Sequence, residues 1–304
     1  MNLYIKHRPQ TLEEVVGNTD IVSYLTEVVK NKKSCPHVFL LNGPTGCGKT
    51  TLARIISKEL KCDPLDLKEI NAANFRGIDT VREIVDSSKY FSMAGGSRVW
   101  LIDEIHKMTN DAQNALLKLL EDTPKAAYFI LCTTDPDKLI KTIKGRCIDL
   151  RVKPLTDNEM LKLLKSVVKA EEKKLALPVY EQIIADAIGL PRNALQILDK
   201  VLTVPEAKQL AMAEQSAAEV SESIELCRAL INKAGWKEVR VILTGLKDQE
   251  PESIRRHVLG YCQSVLLKGE MDRAAFVIEM LQEPLYNIGF PGLVLACYSV
   301  VKKG

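Results

Sequence analysis

The stretch Val38-Phe-Leu-Leu-Asn-Gly-Pro-Thr-Gly-Cys-Gly-Lys-Thr50 joins a short apolar run to a glycine-rich loop. The loop satisfies the pattern G-x-x-x-x-G-K-[ST], and an amphipathic run at residues 51–60 follows it directly. A buried strand, such a loop and a helix together form a phosphate-binding loop, because backbone N–H groups and the positive end of the helix dipole then surround the phosphates. The stretch therefore predicts an α/β domain with a nucleotide site.

Each part of the loop has a predicted role in holding ATP and Mg²⁺. We expect the Lys49 ammonium to reach the β- and γ-phosphates and the Thr50 hydroxyl to bind Mg²⁺. The glycines let the backbone turn inward around the phosphates. The predicted nucleotide-binding residues of the loop are Gly43, Pro44, Thr45, Gly46, Cys47, Gly48, Lys49, Thr50 and Thr51.

Two adjacent acids end a second apolar run, Val99-Trp-Leu-Ile-Asp103-Glu104. We expect Asp103 to complete the protein side of the Mg²⁺ shell and Glu104 to polarise the attacking water as general base. Adjacent acids after a strand are commonly only a solvated turn, but this pair lies downstream of a phosphate loop. The pair therefore indicates ATP hydrolysis, with Lys49 as a further catalytic residue.

The apolar pattern divides the chain into an α/β part and a helical part. Short apolar runs alternating with helix-like segments predict a parallel sheet covered on both faces. These runs lie at residues 38–42, 67–70, 99–103, 128–132 and 147–152. After Val152 a capping box at Thr156-x-x-Glu159 opens a helical pattern, with helices predicted at residues 179–188, 191–202, 224–231, 236–246, 254–267, 273–281 and 293–301. Residues 204–220 fit either a helix or a hinge.

Composition sets broad limits on the class of protein. Of the 304 residues 46% are hydrophobic and 27% are charged, as in a globular protein. No apolar run approaches the roughly 18 residues of a membrane span, and the N-terminus lacks the apolar segment of a signal peptide, so we expect a cytosolic protein. The eight cysteines form no C-x-x-C pair and are interpreted as buried free thiols. A net charge of +3 neither supports nor excludes a DNA partner.

Several further motifs resemble those of the clamp-loader ATPases of the AAA+ class, which are the small subunits of replication factor C and the gamma/tau subunit of bacterial DNA polymerase III. The resemblance runs from Tyr4 to about Leu198. It implies an AAA+ domain over residues 1–152, a helical lid domain over 153–203 and a helical collar domain over 204–304. The N-terminal segment Tyr4-Ile-Lys-His-Arg-Pro is similar to the family segment that lines the adenine pocket, which assigns Arg8, Pro9 and Val16 to the base.

A third motif, Asn71-Ala-Ala-Asn-Phe-Arg-Gly-Ile-Asp-Thr-Val-Arg82, looks like an element of replication factor C. The resemblance implies that Asn71 holds the Glu104 carboxylate in an inactive pose until DNA arrives. It also implies that Arg82, on the following helix, contacts phosphates of the template strand. Lys107 is a second candidate DNA contact. For both basic residues the alternative is a solvated surface charge.

The run Leu-Cys-Thr-Thr134 resembles the strand end that carries the sensor-1 residue of the family. Thr134, or else Thr133, is then expected to hydrogen-bond the γ-phosphate or the attacking water. His106 invites a metal or catalytic role, but the chain has only four histidines and none of the others lies at ligand spacing from it. We therefore expect a structural role for His106.

Two arginines complete the predicted site. Lys-Gly-Arg146-Cys matches the S-R-C box of the family, with glycine in place of serine, and the family's arginine reaches the ATP of the neighbouring subunit. A planar, permanently charged guanidinium suits the charge spread over a transferring phosphoryl group. Gly-Leu-Pro-Arg192-Asn-Ala-Leu resembles the sensor-2 motif. A cation in the first turn of a helix is unfavourable unless an anion offsets it, and ATP is such an anion.

The resemblance implies a motor subunit of a pentameric clamp loader. Such a subunit acts with other loader subunits, hydrolyses ATP with Mg²⁺, opens a sliding clamp and places it on primer–template DNA. Only Cys62 lies where bacterial gamma/tau subunits carry a cysteine-rich zinc module, so the pattern favours a compact archaeal or phage type. The alternatives are another AAA+ DNA remodeller of branch-migration or initiator type, a nucleotide-gated scaffold with little turnover, and a small-molecule kinase.

Overall fold

The computed structural model describes residues 2–30, 35–88, 90, 92, 95–220, 222–249, 251–267, 269–285 and 288–303. The chain divides into two compact units. The first unit comprises Leu3–Leu163 with Gly189–Arg192, and the second comprises Leu164–Ile188 with Asn193–Gly304. The predicted division into three domains, with boundaries after residues 152 and 203, is a different partition of the chain and stays a prediction.

A parallel sheet of five strands forms the centre of the first unit, with the order β2-β3-β4-β1-β5. The strands are β1 (Val38–Asn42), β2 (Cys62–Asn71), β3 (Ser97–Asp103), β4 (Ala127–Thr133) and β5 (Ile148–Arg151). Each apolar run therefore marks a strand, and the predicted sheet is confirmed. Strand β2 begins well before its apolar run, because pairing with β3 continues past a register shift between Cys62 and Leu67.

Each helix that the sequence pattern predicts has a matching α-helix among the described residues. The α-helices of the described residues are α1 (Leu3–Lys6), α2 (Thr19–Lys30), α3 (Lys49–Glu59), α4 (Ile78–Ser88), α5 (Asn110–Glu121), α6 (Lys141–Lys144), α7 (Asp157–Ala170), α8 (Leu177–Ala187), α9 (Pro191–Val201), α10 (Gln209–Val220), α11 (Glu222–Ile231), α12 (Trp236–Gly245), α13 (Pro251–Leu266), α14 (Asp272–Leu281) and α15 (Gly289–Lys303). Of the two alternatives for residues 204–220, the helix is observed, as α10. Among the described residues, no helix combines the length and apolarity that a membrane span requires.

Alternate side chains of the central strands enter two separate cores, one on each face of the sheet. Phe39 and Leu101 pack in a core with residues of α2 and α3, whereas Leu40, Trp100 and Phe129 pack in a core with residues of α4 and α5. A strand that is buried on both faces needs apolar residues at every position, not at every second one. This requirement explains why the strands appear in the sequence as continuous apolar runs.

The capping box that opens α7 has the predicted geometry. The Thr156 N–H donates to Glu159 Oε2 over 2.8 Å, and the Glu159 N–H faces Thr156 Oγ1 at 3.4 Å. These bonds occupy N–H groups at the start of a helix that have no partner within the helix itself. They also lower the pKa of Glu159.

All eight cysteines are free thiols, and six of them are buried. Burial raises the pKa of Cys62 to about 11 and that of Cys147 to about 12. The thiolate is the reactive form of cysteine, so these side chains are weak nucleophiles at neutral pH. The structure thus fits the interpretation of the cysteines as packing residues.

A buried charge network connects α13 to the end of α14 in the second unit. The Glu252 carboxylate accepts hydrogen bonds from Arg255 Nε at 2.8 Å, from Arg255 Nη2 at 2.6 Å and from the Leu285 N–H at 2.9 Å. Arg255 Nη1 donates to the carbonyl oxygen of Leu281, the last residue of α14, over 2.8 Å. Burial alone raises the pKa of Glu252, but the hydrogen bonds outweigh it and the net pKa is lowered. Removing one charge therefore leaves the other buried without its partner.

We expect Glu252→Ala to lower the free energy of unfolding by about 3–5 kcal/mol, which is the usual cost of breaking a buried ion pair. Glu279→Ala, at an exposed position of α14, is the matched control and should change it by about 0.5 kcal/mol or less. Urea unfolding followed by circular dichroism measures both. Equal stability of the two variants would show that the Glu252 network contributes nothing to the second unit.

Candidate active site

The phosphate loop turns tightly at three glycines. Gly43, Gly46 and Gly48 have φ angles of +153°, +80° and +107°. A Cβ atom on Gly43 would lie 2.2 Å from the carbonyl oxygen of Val152, so no side chain fits there. The loop thus takes its shape between β1 and the segment that follows β5.

The segment that follows β5 also packs tightly against a second glycine, Gly189. A Cβ atom on Gly189, whose φ is +70°, would lie 2.6 Å from the carbonyl oxygen of Leu155. The Leu155 N–H also donates to the Gly189 carbonyl over 2.8 Å. Residues 152–155 therefore lie between the phosphate loop and the turn that precedes Arg192.

Lys49 and Thr50 begin α3 and face the inside of the loop. Lys49 is only 7% exposed, and its ammonium donates to the carbonyl oxygens of Gly43 at 2.8 Å and Pro44 at 2.7 Å. Thr50 Oγ1 donates to Asp103 Oδ2 over 2.9 Å. A hydroxyl and a carboxylate oxygen at this separation form a hard donor set, which fits Mg²⁺.

The two acids at the end of β3, Asp103 and Glu104, have different surroundings. Asp103 Oδ1 accepts the Glu104 N–H over 2.9 Å, which fixes the carboxylate that faces Thr50. Glu104 has a φ of +56°, a left-handed conformation that is uncommon for a residue other than glycine. Its Oε2 lies 3.6 Å from Nε2 of the buried His106. Backbone strain of this kind clusters at functional sites.

The end of β4 lies beside the end of β3. Thr133 is fully buried, and its Oγ1 lies 3.0 Å from His106 Nδ1 and accepts the Asp135 N–H, also over 3.0 Å. Thr134 is the next residue and is partly exposed. Of the two threonines considered for sensor 1, Thr133 is therefore engaged inside the protein, whereas Thr134 is partly exposed.

Asn71 ends β2 and pairs with Asp103 in the register of the sheet, so it lies at the predicted edge. Its Oδ1 accepts the Ala73 N–H over 2.9 Å. The Glu104 carboxylate faces His106 in this structure. The predicted switch role of Asn71 stays a prediction.

Positive charge collects around the phosphate loop. The Arg192 N–H donates to the Gly46 carbonyl over 3.4 Å, and its guanidinium lies 6.0 Å from the ring centre of Tyr4. Burial, and then the charges of Arg54 and Arg192, lower the pKa of Arg8. Like charges close together favour binding of an anion between them. The predicted base contacts Pro9 and Val16 are half-buried.

The remaining predicted residues lie on the surface. Arg146 is about one-third exposed, donates from Nη1 to the Thr142 carbonyl over 2.8 Å, and pairs through Nη2 with Glu121. Arg82 is 67% exposed and pairs with Asp79 over 2.8 Å within α4. Lys107 is exposed. A DNA role and a solvated surface charge remain alternatives for these two basic side chains.

Sequence reasoning missed two groups of this site. The contact between His106 and Thr133 depends on β3 and β4 being neighbours, which the strand order determines and sequence spacing does not. Arg54 forms a bidentate ion pair with Glu69, with N–O distances of 2.8 and 2.7 Å. The sequence feature that points to Arg54 is its position one turn after Thr50 on the predicted helix.

The chain is similar in sequence to subunits of DNA polymerase III and similar in fold to a branch migration motor. A family model described as DNA polymerase III, delta subunit, matches residues 65–156. The chain is 35% identical over 222 residues to the DNA polymerase III subunit tau of Bacillus subtilis (strain 168), covering 66% of this chain and 39% of that protein. It is 32% identical over 225 residues to the DNA polymerase III subunit gamma/tau of Mycobacterium tuberculosis (strain ATCC 25618 / H37Rv), with the same coverage. These matches support an AAA+ subunit of the clamp-loader type.

The clamp-loader match extends over part of the relatives only. The chain spans 39% of the length of both named relatives. Both are bacterial proteins, so the expected archaeal or phage type stays a prediction. A structure titled Thermotoga maritima RuvB Holliday junction branch migration motor has a TM-score of 0.61 and 22% identity, covering 79% of this chain and 85% of that one. This structural likeness shows the shared AAA+ fold.

Gly43→Ala should weaken both the fold and nucleotide binding, because its Cβ atom has no room beside Val152. We expect a loss of about 1–3 kcal/mol in unfolding free energy, as for other overpacked positions. Gly77→Ala is the control, since a Cβ atom there meets nothing within 4 Å. Thermal unfolding and titration with a fluorescent ATP analogue measure the two effects. Binding by Gly43→Ala at wild-type affinity would contradict the proposed shape of the loop.

Proposed function

We propose that this chain binds ATP with Mg²⁺ and hydrolyses it. The observation that carries the proposal is the 2.9 Å contact between Thr50 Oγ1 and Asp103 Oδ2, next to Glu104. It brings the loop after β1 and the acids after β3 to a single point. In this arrangement the hydroxyl and the carboxylate can both act on one metal ion that also binds the phosphates.

ATP would be held by the phosphate loop and by the arginines around it. Lys49 now donates to two carbonyl oxygens of the loop, and its ammonium would exchange them for the β- and γ-phosphates. The charges of Arg8 and Arg192 favour an anion at this position. Mg²⁺, when bound by Thr50 and Asp103, supplies neutralisation of phosphate charge.

Hydrolysis would depend on groups at the ends of β2, β3 and β4. Glu104 is proposed to accept a proton from the attacking water, and Thr134 to orient that water or the γ-phosphate. Asn71, in register with Asp103, is proposed to hold Glu104 away from the water until DNA binds. Parallel strands bring their carboxyl ends to one edge of a sheet, so these three positions can act on one substrate.

The site is proposed to be completed by Arg146 of a neighbouring subunit. The guanidinium is partly exposed and is held by Glu121 and by the Thr142 carbonyl of its own chain. Engaging a neighbour's γ-phosphate would exchange one anionic partner for another. An arginine supplied in trans commonly accelerates phosphoryl transfer by about 10³–10⁵. The chain would therefore be active as an oligomer, proposed to be a pentamer with identical or related loader subunits.

We further propose that ATP hydrolysis by this chain is used to open a sliding clamp and place it on primer–template DNA in the cytoplasm. The named relatives, which are subunits of DNA polymerase III, support this reading. Arg82 and Lys107 are the proposed DNA contacts. If they bind phosphates, the loss of either charge reduces the salt dependence of DNA binding.

A second candidate function is DNA remodelling of another kind, because the structural neighbours include a branch migration motor. That protein is only 22% identical to this chain, so its likeness carries the fold and not the activity. The two candidates differ in the DNA that should stimulate turnover. A clamp loader responds to primer–template DNA with a clamp, and a branch-migration motor responds to four-way junctions.

Glu104→Gln should keep ATP binding and lower kcat by at least about 100-fold, because the amide cannot accept the proton of the water. ATPase assays of both proteins, with and without primer–template DNA and clamp, beside their mass in solution, test this expectation. Stimulation by primed DNA supports the clamp loader. Strong binding without turnover in the wild type favours the scaffold alternative, and stimulation by junctions alone favours the branch-migration alternative.

Arg146→Ala and Glu104→Gln should each be inactive and should partly restore activity when mixed. In a random mixture about one interface in four combines an intact Glu104 with an intact Arg146 of its neighbour, so we expect about one quarter of wild-type turnover. Arg146→Lys tests the need for the planar guanidinium, since it keeps only the charge. Full activity of Arg146→Ala, independent of protein concentration, would contradict action in trans and favour the kinase alternative.

A further inference from the structure

His106 connects two parts of the proposed hydrolytic site. Its side chain is completely buried, with Nδ1 3.0 Å from Thr133 Oγ1 and Nε2 3.6 Å from Glu104 Oε2. Thr133 is the last residue of β4, and Glu104 directly follows β3. One imidazole ring therefore lies between the strand end that precedes Thr134 and the carboxylate of the proposed general base.

Thr133 and Glu104 together favour one of the two neutral tautomers of the ring. Thr133 Oγ1 accepts the Asp135 N–H over 3.0 Å, so its own hydroxyl proton is available to His106 Nδ1. A ring that accepts at Nδ1 carries its proton at Nε2 in the neutral form. The proton then points towards Glu104. The opposite tautomer would turn a lone pair towards the carboxylate, which is electrostatically unfavourable.

The His106 ring is suited to hold the Glu104 carboxylate in place, and not to supply a positive charge beside it. Burial lowers the pKa of His106, although the nearby Glu104 carboxylate works in the opposite direction. The neutral form is therefore the one to consider at neutral pH. Nε2 is buried and has no hydrogen-bond partner among the described residues, at a separation from Glu104 that a small rotation of the glutamate side chain would close. A buried donor without a partner favours that rotation.

We propose that His106 is a positioning residue for Glu104, and that its orientation is fixed by the hydroxyl of Thr133. The inference rests on the proposed function, because it assigns a partner to the proposed general base. The ring holds the Glu104 carboxylate at the end of β3 and makes its position depend on the end of β4. A shift at Thr134, when it meets the γ-phosphate, thereby moves Thr133, the ring and the carboxylate together.

Two substitutions of His106 separate positioning from packing. Glutamine can place an N–H near the position of Nε2, whereas asparagine reaches only the position of Nδ1. We expect His106→Asn to lower kcat about tenfold with an unchanged KM for ATP, since it removes the group that orients Glu104. His106→Gln should stay within about threefold of the wild-type kcat. Equal kcat values for the two variants would overturn the proposal.

The partner residue offers a matched pair of its own. Thr133→Ser keeps the hydroxyl and should keep kcat, and Thr133→Val keeps the shape but should lower kcat about as much as His106→Asn does. If Thr133→Val keeps the wild-type kcat, the orienting role of the hydroxyl is wrong.

A measurement without turnover tests the same geometry in the wild-type protein. Long-range ¹H–¹⁵N spectra distinguish the two neutral tautomers, and the His106 ring is assigned among the four histidines by its absence in His106→Asn. We expect the Nε2–H tautomer, and a loss of that preference in Thr133→Val. An Nδ1–H tautomer in the wild type would overturn the inference. If the wild-type chain shows no ATPase activity, the proposed function is wrong, and so is the purpose assigned to His106.

Discussion

The hydrogen bond between Thr50 and Asp103 is the contact on which the rest of this molecule depends. Thr50 lies in the helix that follows β1, and Asp103 is the last residue of β3. These two strands are not neighbours in the sheet, because β4 lies between them. Their side chains meet only when all three strands have the correct order and register. The contact is therefore a property of the whole sheet, and the sheet is held by apolar side chains packed on both of its faces.

Much of the first unit could be predicted from sequence, because strands that are buried on both faces leave continuous apolar runs. The start of β2 could not, since residues 62–66 pair with β3 through a register shift and carry no such run. Residues 204–220 were ambiguous because an alanine- and glutamine-rich segment suits a helix without showing which face is buried. The two-unit division follows from contacts distant in sequence, which no local pattern records.

The site shows the same difference between local and distant information. The phosphate loop and the acids after β3 are local motifs, so their residue types and spacing predict their place. The ring of His106 was expected to be structural, since no other histidine shares its spacing. The ring lies beside Thr133, from another strand, and beside Glu104, at a strained backbone position. Spacing in the sequence reveals neither of these two neighbours. The pairing of Arg54 with Glu69 also crosses from a helix to a strand.

The segment that follows β5 has a mechanical consequence. Both ends of residues 152–155 pack closely against the backbone of a glycine. Gly43 lies against Val152 and Gly189 against Leu155, with no room for a side chain at either glycine. Four residues thus act as a rigid spacer of fixed length between the loop that would hold the phosphates and the turn that leads to Arg192. An insertion or deletion here would displace both at once, so natural and engineered length variation should be confined to other connections of the first unit.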